Sequence, residues 1–239
     1  ATGAALYFNS NCQGTITNTN WSGNSAEEDG GGACVINSNI SVYDSDLNNN
    51  FAARGAGLYY LDSTESEVIN CTFNNNEAQR VSVTYEFYAP DPNDPNLPIG
   101  DPDPNGSLVD ANYVTIEIVD DFGDARGGGI YSFRGPWLIE DCQFGNNSAR
   151  TSGGGIYIAG NTAPLVKNCL LTNNMAGGDG GGISVNWESE AKIHNCTIAD
   201  NSATLFPSYG GGLYCSYASN VEVKNSIIWG NGSGYDGSQ

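Results

Sequence analysis

Positive charge is scarce in this 239-residue chain: eight Lys plus Arg stand against 27 Asp plus Glu, for a formal net charge of −19. A nucleic-acid partner needs a basic surface to meet its phosphates, and an anionic membrane needs the same, so both are excluded as partners. No run is long and apolar enough to span a bilayer, so this segment is not inserted in a membrane. No signal peptide precedes the first strand-like stretch, Thr2-Gly3-Ala4-Ala5-Leu6-Tyr7-Phe8, and the chain reads as a mature or excised segment. Helical periodicity is missing throughout. There is one histidine, His194, and no Cys-x-x-Cys or Cys/His cluster, which removes zinc.

What is present is repetition. The reference column is Thr19, Ser45, Cys71, Cys142, Cys169, Cys196 and Ser226, each small and weakly polar. One residue earlier stands Asn or Asp; three earlier, a β-branched residue, as in Val68, Ile139 and Val166. Two later comes a large apolar residue, as in Phe73, Phe144 and Leu171. Five later is always Asn: Asn24, Asn50, Asn76, Asn147, Asn174, Asn201 and Asn231. Seven later is Ala, or Ser233 in the last repeat. Each repeat opens on a glycine cluster followed by an apolar-x-apolar triplet such as Ile156-Tyr157-Ile158 or Ile183-Ser184-Val185. Residues two apart share one face of a strand. Gly, Asn and Asp between such segments favour left-handed or tight backbone.

One such repeat cannot bury its own apolar face, but a stack of them can. The expected fold is therefore all-β: a parallel solenoid of about seven coils, each with two or three short strands, like residues lying above like at roughly 4.8 Å. The Asn column then satisfies itself by hydrogen bonding from coil to coil. Cysteines in the reference column are small inward fillers. Cys215 falls in a second inward column with Phe8, Val35, Tyr60, Ile158 and Val185, while Cys12 and Cys34 fall at turn or outward positions where they could pair.

The motifs Gly127-Gly128-Gly129-Ile130 with Phe144-Gly145-Asn146-Asn147, and Gly55-Ala56-Gly57-Leu58 with Phe73-Asn74-Asn75-Asn76, resemble the right-handed parallel β-helix repeat proteins of the pectate-lyase-like superfamily. More narrowly they resemble the polymorphic outer-membrane-protein type of surface β-helix. The resemblance covers the chain outside residues 79–126. It implies a right-handed helix of coils; the superfamily hosts lyases, hydrolases, adhesins and scaffolds, so it implies no single activity.

Function on a solenoid sits where the repeat is broken or where outward columns align. Residues 1–78 hold coils one to three and 127–239 coils four to seven, as one domain. Residues 79–126 form an insertion whose ends alternate with period two and read as the arms of a β-hairpin. Between the arms, Asp91, Asn93, Asp94, Asp101, Asp103 and Asn105 cluster oxygens of the kind Ca²⁺ takes, on a loop that is not an EF-hand. The same residues also fit a solvated acidic tip. A second, shorter interruption, Thr204-Leu205-Phe206-Pro207-Ser208-Tyr209, falls at the same corner.

Tyr7, Tyr59, Tyr131, Tyr157 and Tyr214 share one outward column and form an aromatic stripe on which sugar rings could stack; β-propensity and cross-coil packing explain the column equally. Glu140, Lys167, His194 and Lys224 line another outward column. They are candidate acid–base groups, a basic residue being the proton acceptor in pectate-lyase-like enzymes, and also make sense as a mixed-charge ladder. His194 has no carboxylate partner nearby in sequence. Of the Asn-x-Ser/Thr sequons, Asn70, Asn195 and Asn231 fall in asparagine columns taken as buried; Asn39 and Asn105, on loops, are the credible glycosylation sites.

No end cap is visible in the sequence. The expectation is a secreted or cell-surface solenoid, structural or adhesive and non-catalytic. It either stacks head to tail on copies of itself or continues into a longer surface protein. The alternative is a module that binds or cleaves polysaccharide.

Overall fold

The computed structural model describes residues 3–79, 83–88, 113–118, 125–205 and 207–234, with only the backbone of 83–88 and 113–118. It divides into two units, Ala1–Arg80 with Asp124–Gln239, and Val81–Gly123. In the second unit, Val83–Tyr88 pairs antiparallel with Tyr113–Ile118.

The first unit is a parallel β-solenoid of seven coils. Each coil adds one strand to each of four sheets, three of them seven-stranded and one six-stranded, with neighbouring coils always adjacent. Coil five is representative: Ile156–Ala159, Leu165–Lys167, Leu170–Thr172 and Met175–Ala176. The repeat thus holds four strands where its apolar pattern suggested two or three. The fourth is only two residues long and carries a single inward side chain, the Ala of the Ala column, too little to stand out as alternation. In coil one it shrinks to a lone bridge from Ser25 to Phe51.

Four strands need four corners, and backbone dihedrals show what makes them. Asn18, Asp44, Asn70, Asp141, Asn168, Asn195 and Asn225 all have φ between 49° and 55°. So do, at 54–56°, Asn49, Asn75, Asn146, Asn173 and Asp200, their column completed by Gly23 and Gly230. Left-handed backbone is unfavourable for most L-residues and readily adopted by Asn, Asp and Gly, which is why these columns admit nothing else. The glycine clusters turn the corner back to the first sheet. At Gly128 the constraint is contact rather than φ: an added Cβ would lie inside contact distance of the carbonyl oxygens of Ser148 and Gly154.

Inward columns form one continuous core, including Tyr60, Val68, Phe73, Ile130, Ile139, Phe144, Ile158, Leu171 and Ile198. Phe73 stacks on Phe144 at 4.8 Å. Beneath the third sheet the buried asparagines do what their column predicts. Asn174 Nδ2 donates to Asn201 Oδ1 (2.9 Å) and to the Phe144 carbonyl (2.9 Å). Its own Oδ1 accepts from Asn147 Nδ2 (2.9 Å) and from the Asn147 amide (3.0 Å). The pattern runs from Asn24 to Asn231, so each buried amide side chain is satisfied by its neighbours.

Cys71, Cys142, Cys169 and Cys196 are buried fillers, each thiol donating to a carbonyl two residues back. All seven cysteines are free. Cys34, expected at an outward position able to pair with Cys12, is fully buried, and burial pushes its thiol up to about 12. Cys215 is exposed despite its inward column, because coil seven has no described coil beyond it. Asn70 and Asn195 also depart from expectation: their column turns a corner outside the core, and they are exposed. Their amides bond along the column instead, to Asp44 (2.6 Å) and Asn168 (3.2 Å).

Candidate functional site

The tyrosine column forms as predicted, but not as an open stripe. Tyr59 and Tyr131 stack at 4.9 Å, Tyr131 and Tyr157 at 5.2 Å, their rings nearly parallel. All three are buried, at 3, 6 and 2% exposure, in a cluster of their own with Cys34 and Ala159. Arg54 lies over the Tyr59 ring (5.3 Å) and Arg126 over Tyr157 (5.1 Å). Arg54 is held by Asp29, itself buried, through Nε to Oδ1 at 2.6 Å and a second bond at 3.0 Å. A sugar ring needs the open face of the stack, and cations already take part of it; only Tyr7 and the half-buried Tyr214, in the first and last coils, retain exposure.

The charged column also assembles in line: Glu140 is in register with Lys167, Lys167 with His194, and His194 with Lys224. Its chemistry is that of a paired ladder. Lys167 is ion-paired to Glu140, and that hydrogen bond raises its pKa, holding it protonated rather than ready to accept a proton. His194 does have a carboxylate partner, which linear spacing hid: Glu222, one coil on, 2.8 Å from Nε2. Lys224 meets the same carboxylate at 2.9 Å. Hydrogen bonds from Lys224 and then His194 hold Glu222 below the ordinary carboxylate range.

The calcium candidates Asp91, Asn93, Asp94, Asp101, Asp103 and Asn105 lie outside the described residues, as does the sequon at Asn105. Among the described residues no cluster of three or more His, Cys, Asp or Glu is arranged to hold a metal. Asn39 is not on a loop but opens the strand Asn39–Tyr43, half-buried. Its Nδ2 donates to Glu65 (3.0 Å) and its Oδ1 accepts from the Glu65 amide (3.3 Å), so a glycan there would have to displace both contacts.

The feature that sequence reading passed over is the corner between the first and second sheets. Extending the strand register by one residue, and by two past the shorter first strands of coils six and seven, aligns Ser10, Asn37, Asp62, Arg134, Gly160, Trp187 and Tyr217. All seven have positive φ. Trp187 (58°) and Tyr217 (52°) are bulky residues held where Asn or Gly would be at ease, a costly conformation for side chains of this kind. They stack on each other at 5.0 Å, 6° from parallel, and are 50 and 64% exposed. Arg134, paired to Asp62 at 2.5 Å, lies over the Phe133 ring at 5.1 Å. A groove of about 590 Å³ runs along this corner over coils four to seven, lined by Phe133, Arg134, Gly160, Trp187 and Tyr217 among others. The signal was available: two large aromatics in a corner column that elsewhere holds Asn37 and Asp62.

A family model described as the right-handed β-helix region matches residues 105–237, more than half of the chain, and the chain belongs to that family. No curated protein and no solved structure matches it.

Proposed function

We propose that this chain is a non-catalytic structural or adhesive solenoid, extracellular or at a cell surface, whose coil faces stack end to end on copies of itself. The observation that carries the reading is the state of coil seven. Ile228 is 47% exposed, whereas Leu171 and Ile198 in the same inward column are fully buried. Ile227 and Trp229 beside it are more exposed still. An apolar column left open in this way among the described residues is a template for another β-coil. Coil one of a second copy offers a matching cross-section, as would further chain beyond this sequence, and a contact between copies is heterologous, does not close on itself and so propagates. The motifs shared with surface β-helices support the extracellular part of the reading, and the ion-paired state of Lys167 favours it over a proton-abstracting enzyme.

Negative-stain electron microscopy with sedimentation velocity tests this across a concentration series. Rods that lengthen with concentration, and revert to single units on Ile228→Asp, are the expected result. Discrete single rods at every concentration would sink self-association and leave coil seven to some other covering.

A further inference from the structure

We propose that the buried cysteine ladder is a binding site for soft monovalent cations of the copper(I) and silver(I) kind, one ion held in line between each pair of successive sulfurs. This goes beyond the scaffold reading and does not depend on end-to-end stacking. Cys71, Cys142, Cys169 and Cys196 stand in register on four consecutive coils, because the residues after them pair as Thr72 with Gln143, Gln143 with Leu170 and Leu170 with Thr197. Their side chains repeat in orientation as well. Each thiol donates to the carbonyl two residues back, at 3.3, 3.1, 3.2 and 3.3 Å in turn. Each also faces a carbonyl of the preceding coil, that of Val42, Val68, Ile139 or Val166, at 3.4–3.6 Å. Identical contacts mean one shared rotamer, so the sulfurs recur at the coil repeat of roughly 4.8 Å. Side-chain contacts link Cys71 to Cys142, Cys142 to Cys169 and Cys169 to Cys196.

The spacing selects the ligand. A metal–thiolate bond is about 2.3 Å long, so two in line bridge about 4.6 Å, close to the ladder's repeat. A disulfide needs Cβ atoms about 3.8 Å apart and sulfurs turned toward each other. Parallel side chains one coil apart meet neither demand, and all four thiols are free. Zinc wants four ligands around one point, whereas each gap offers two. Among the described residues no group of three or more such ligands converges. Monovalent copper and silver are soft, prefer thiolates and accept two sulfurs in line. Charge balances too. Four thiols enclose three gaps; three cations entering them displace three protons and leave one, so the filled ladder is neutral, as burial requires. The thiols are only 1–2% exposed, and burial holds Cys142 above the ordinary thiol range. The empty ladder is therefore protonated and inert toward bulk oxidants. Cations that replace the protons tie coils three to six together. Ser45 and Ser226 end the run with hydroxyls, hard donors that a soft ion passes over.

Silver(I) is the probe, since it needs no reductant, and zinc(II) is the tetrahedral control. The parent for the test carries Cys12→Ser and Cys215→Ser, which removes the two most accessible thiols. It is refolded with each metal, desalted and weighed by native mass spectrometry. Three silver ions should be retained, each replacing one proton, and X-ray absorption should find two sulfurs per silver. Adding Cys196→Ser should leave two ions; adding Cys142→Ser with Cys169→Ser, which interrupts every gap, should leave none. Serine already fills this column at Ser45 and Ser226, so both variants should melt as the parent does without metal. Silver should raise the melting temperature of the parent and leave that of the Cys142→Ser, Cys169→Ser variant unchanged. The proposal is overturned if that variant retains as much silver as the parent, if zinc is retained equally, or if each silver has three or more sulfurs. Loss of two hydrogens per thiol pair with no metal gained would mean disulfides and overturns it too. Should the variant lacking both central thiols fail to fold, the step from three ions to two in Cys196→Ser decides.

Discussion

Two corners of the same coil follow opposite rules. Between the second and third sheets, seven coils use Asn or Asp at the left-handed position and nothing else. Between the first and second sheets, the same backbone conformation is occupied by Ser10, Asn37, Asp62, Arg134, Gly160, Trp187 and Tyr217. At the first corner the residue is fitted to its dihedral. At the second it often opposes the dihedral, and left-handed backbone costs a bulky side chain about 1–2 kcal/mol. A corner chosen for conformation is architecture; a corner held against conformation is displaying its side chains.

Substitutions can break that contrast or sharpen it. The largest effect is expected one residue past the corner that follows the third sheet, in the buried ladder. Asn174→Ala removes both acceptor and donor, leaving the Asn147 amide, the Phe144 carbonyl and Asn201 Oδ1 short of partners. Chemical denaturation should show a loss of about 4 kcal/mol. A loss under about 1 kcal/mol would mean that water replaces the ladder, against its burial. Next, Asn168→Val at the conformationally fitted corner should cost about 1–2 kcal/mol by the same measurement. The matched change at the other corner, Trp187→Asn, should have the reverse sign or none. Relief of the strained φ offsets the lost stacking on Tyr217, for a net gain of about 0–1 kcal/mol. If Trp187→Asn destabilises as much as Asn168→Val, the two corners obey one rule and the contrast fails.

The smallest effect belongs to the charged column. Glu222 has its pKa depressed in the folded state by Lys224 and His194, so its stabilisation is present above the unfolded value of 4.5 and is lost as pH falls through the folded value. Wild type should therefore melt above Glu222→Gln at neutral pH, with the gap closing in acid. A gap that stays constant or widens in acid would assign the effect to packing rather than charge.

The sequence disclosed the columns because stacking in register forces like residues together; Asn, Ala and Gly columns each answer a constraint that recurs in every coil. It disclosed much less about what is accessible. Tyr59, Tyr131 and Tyr157 point outward as their alternation required, yet Asp29 fixes Arg54 across Tyr59 and Tyr131 from a different part of the repeat, and no periodicity encodes that. Glu222 reaches His194 only across a coil boundary, 28 residues away. The groove along the first corner is legible only as a departure, Trp187 and Tyr217 standing in a column that holds Asn37 and Asp62 in earlier coils.

The asparagine ladder also has a mechanical consequence. Its bonds run from coil to coil, so a pull applied to the two ends of the solenoid loads them nearly along their length and one coil at a time. Successive ladder partners are 26 to 30 residues apart within uninterrupted coils. Each failure would release roughly 90–105 Å of slack. Force spectroscopy should record a train of near-equal steps with one longer step between Asn76 and Asn147, 71 residues apart, and one single rupture would mean that the coils yield together. A tether built this way lengthens in instalments while its remaining coils stay folded.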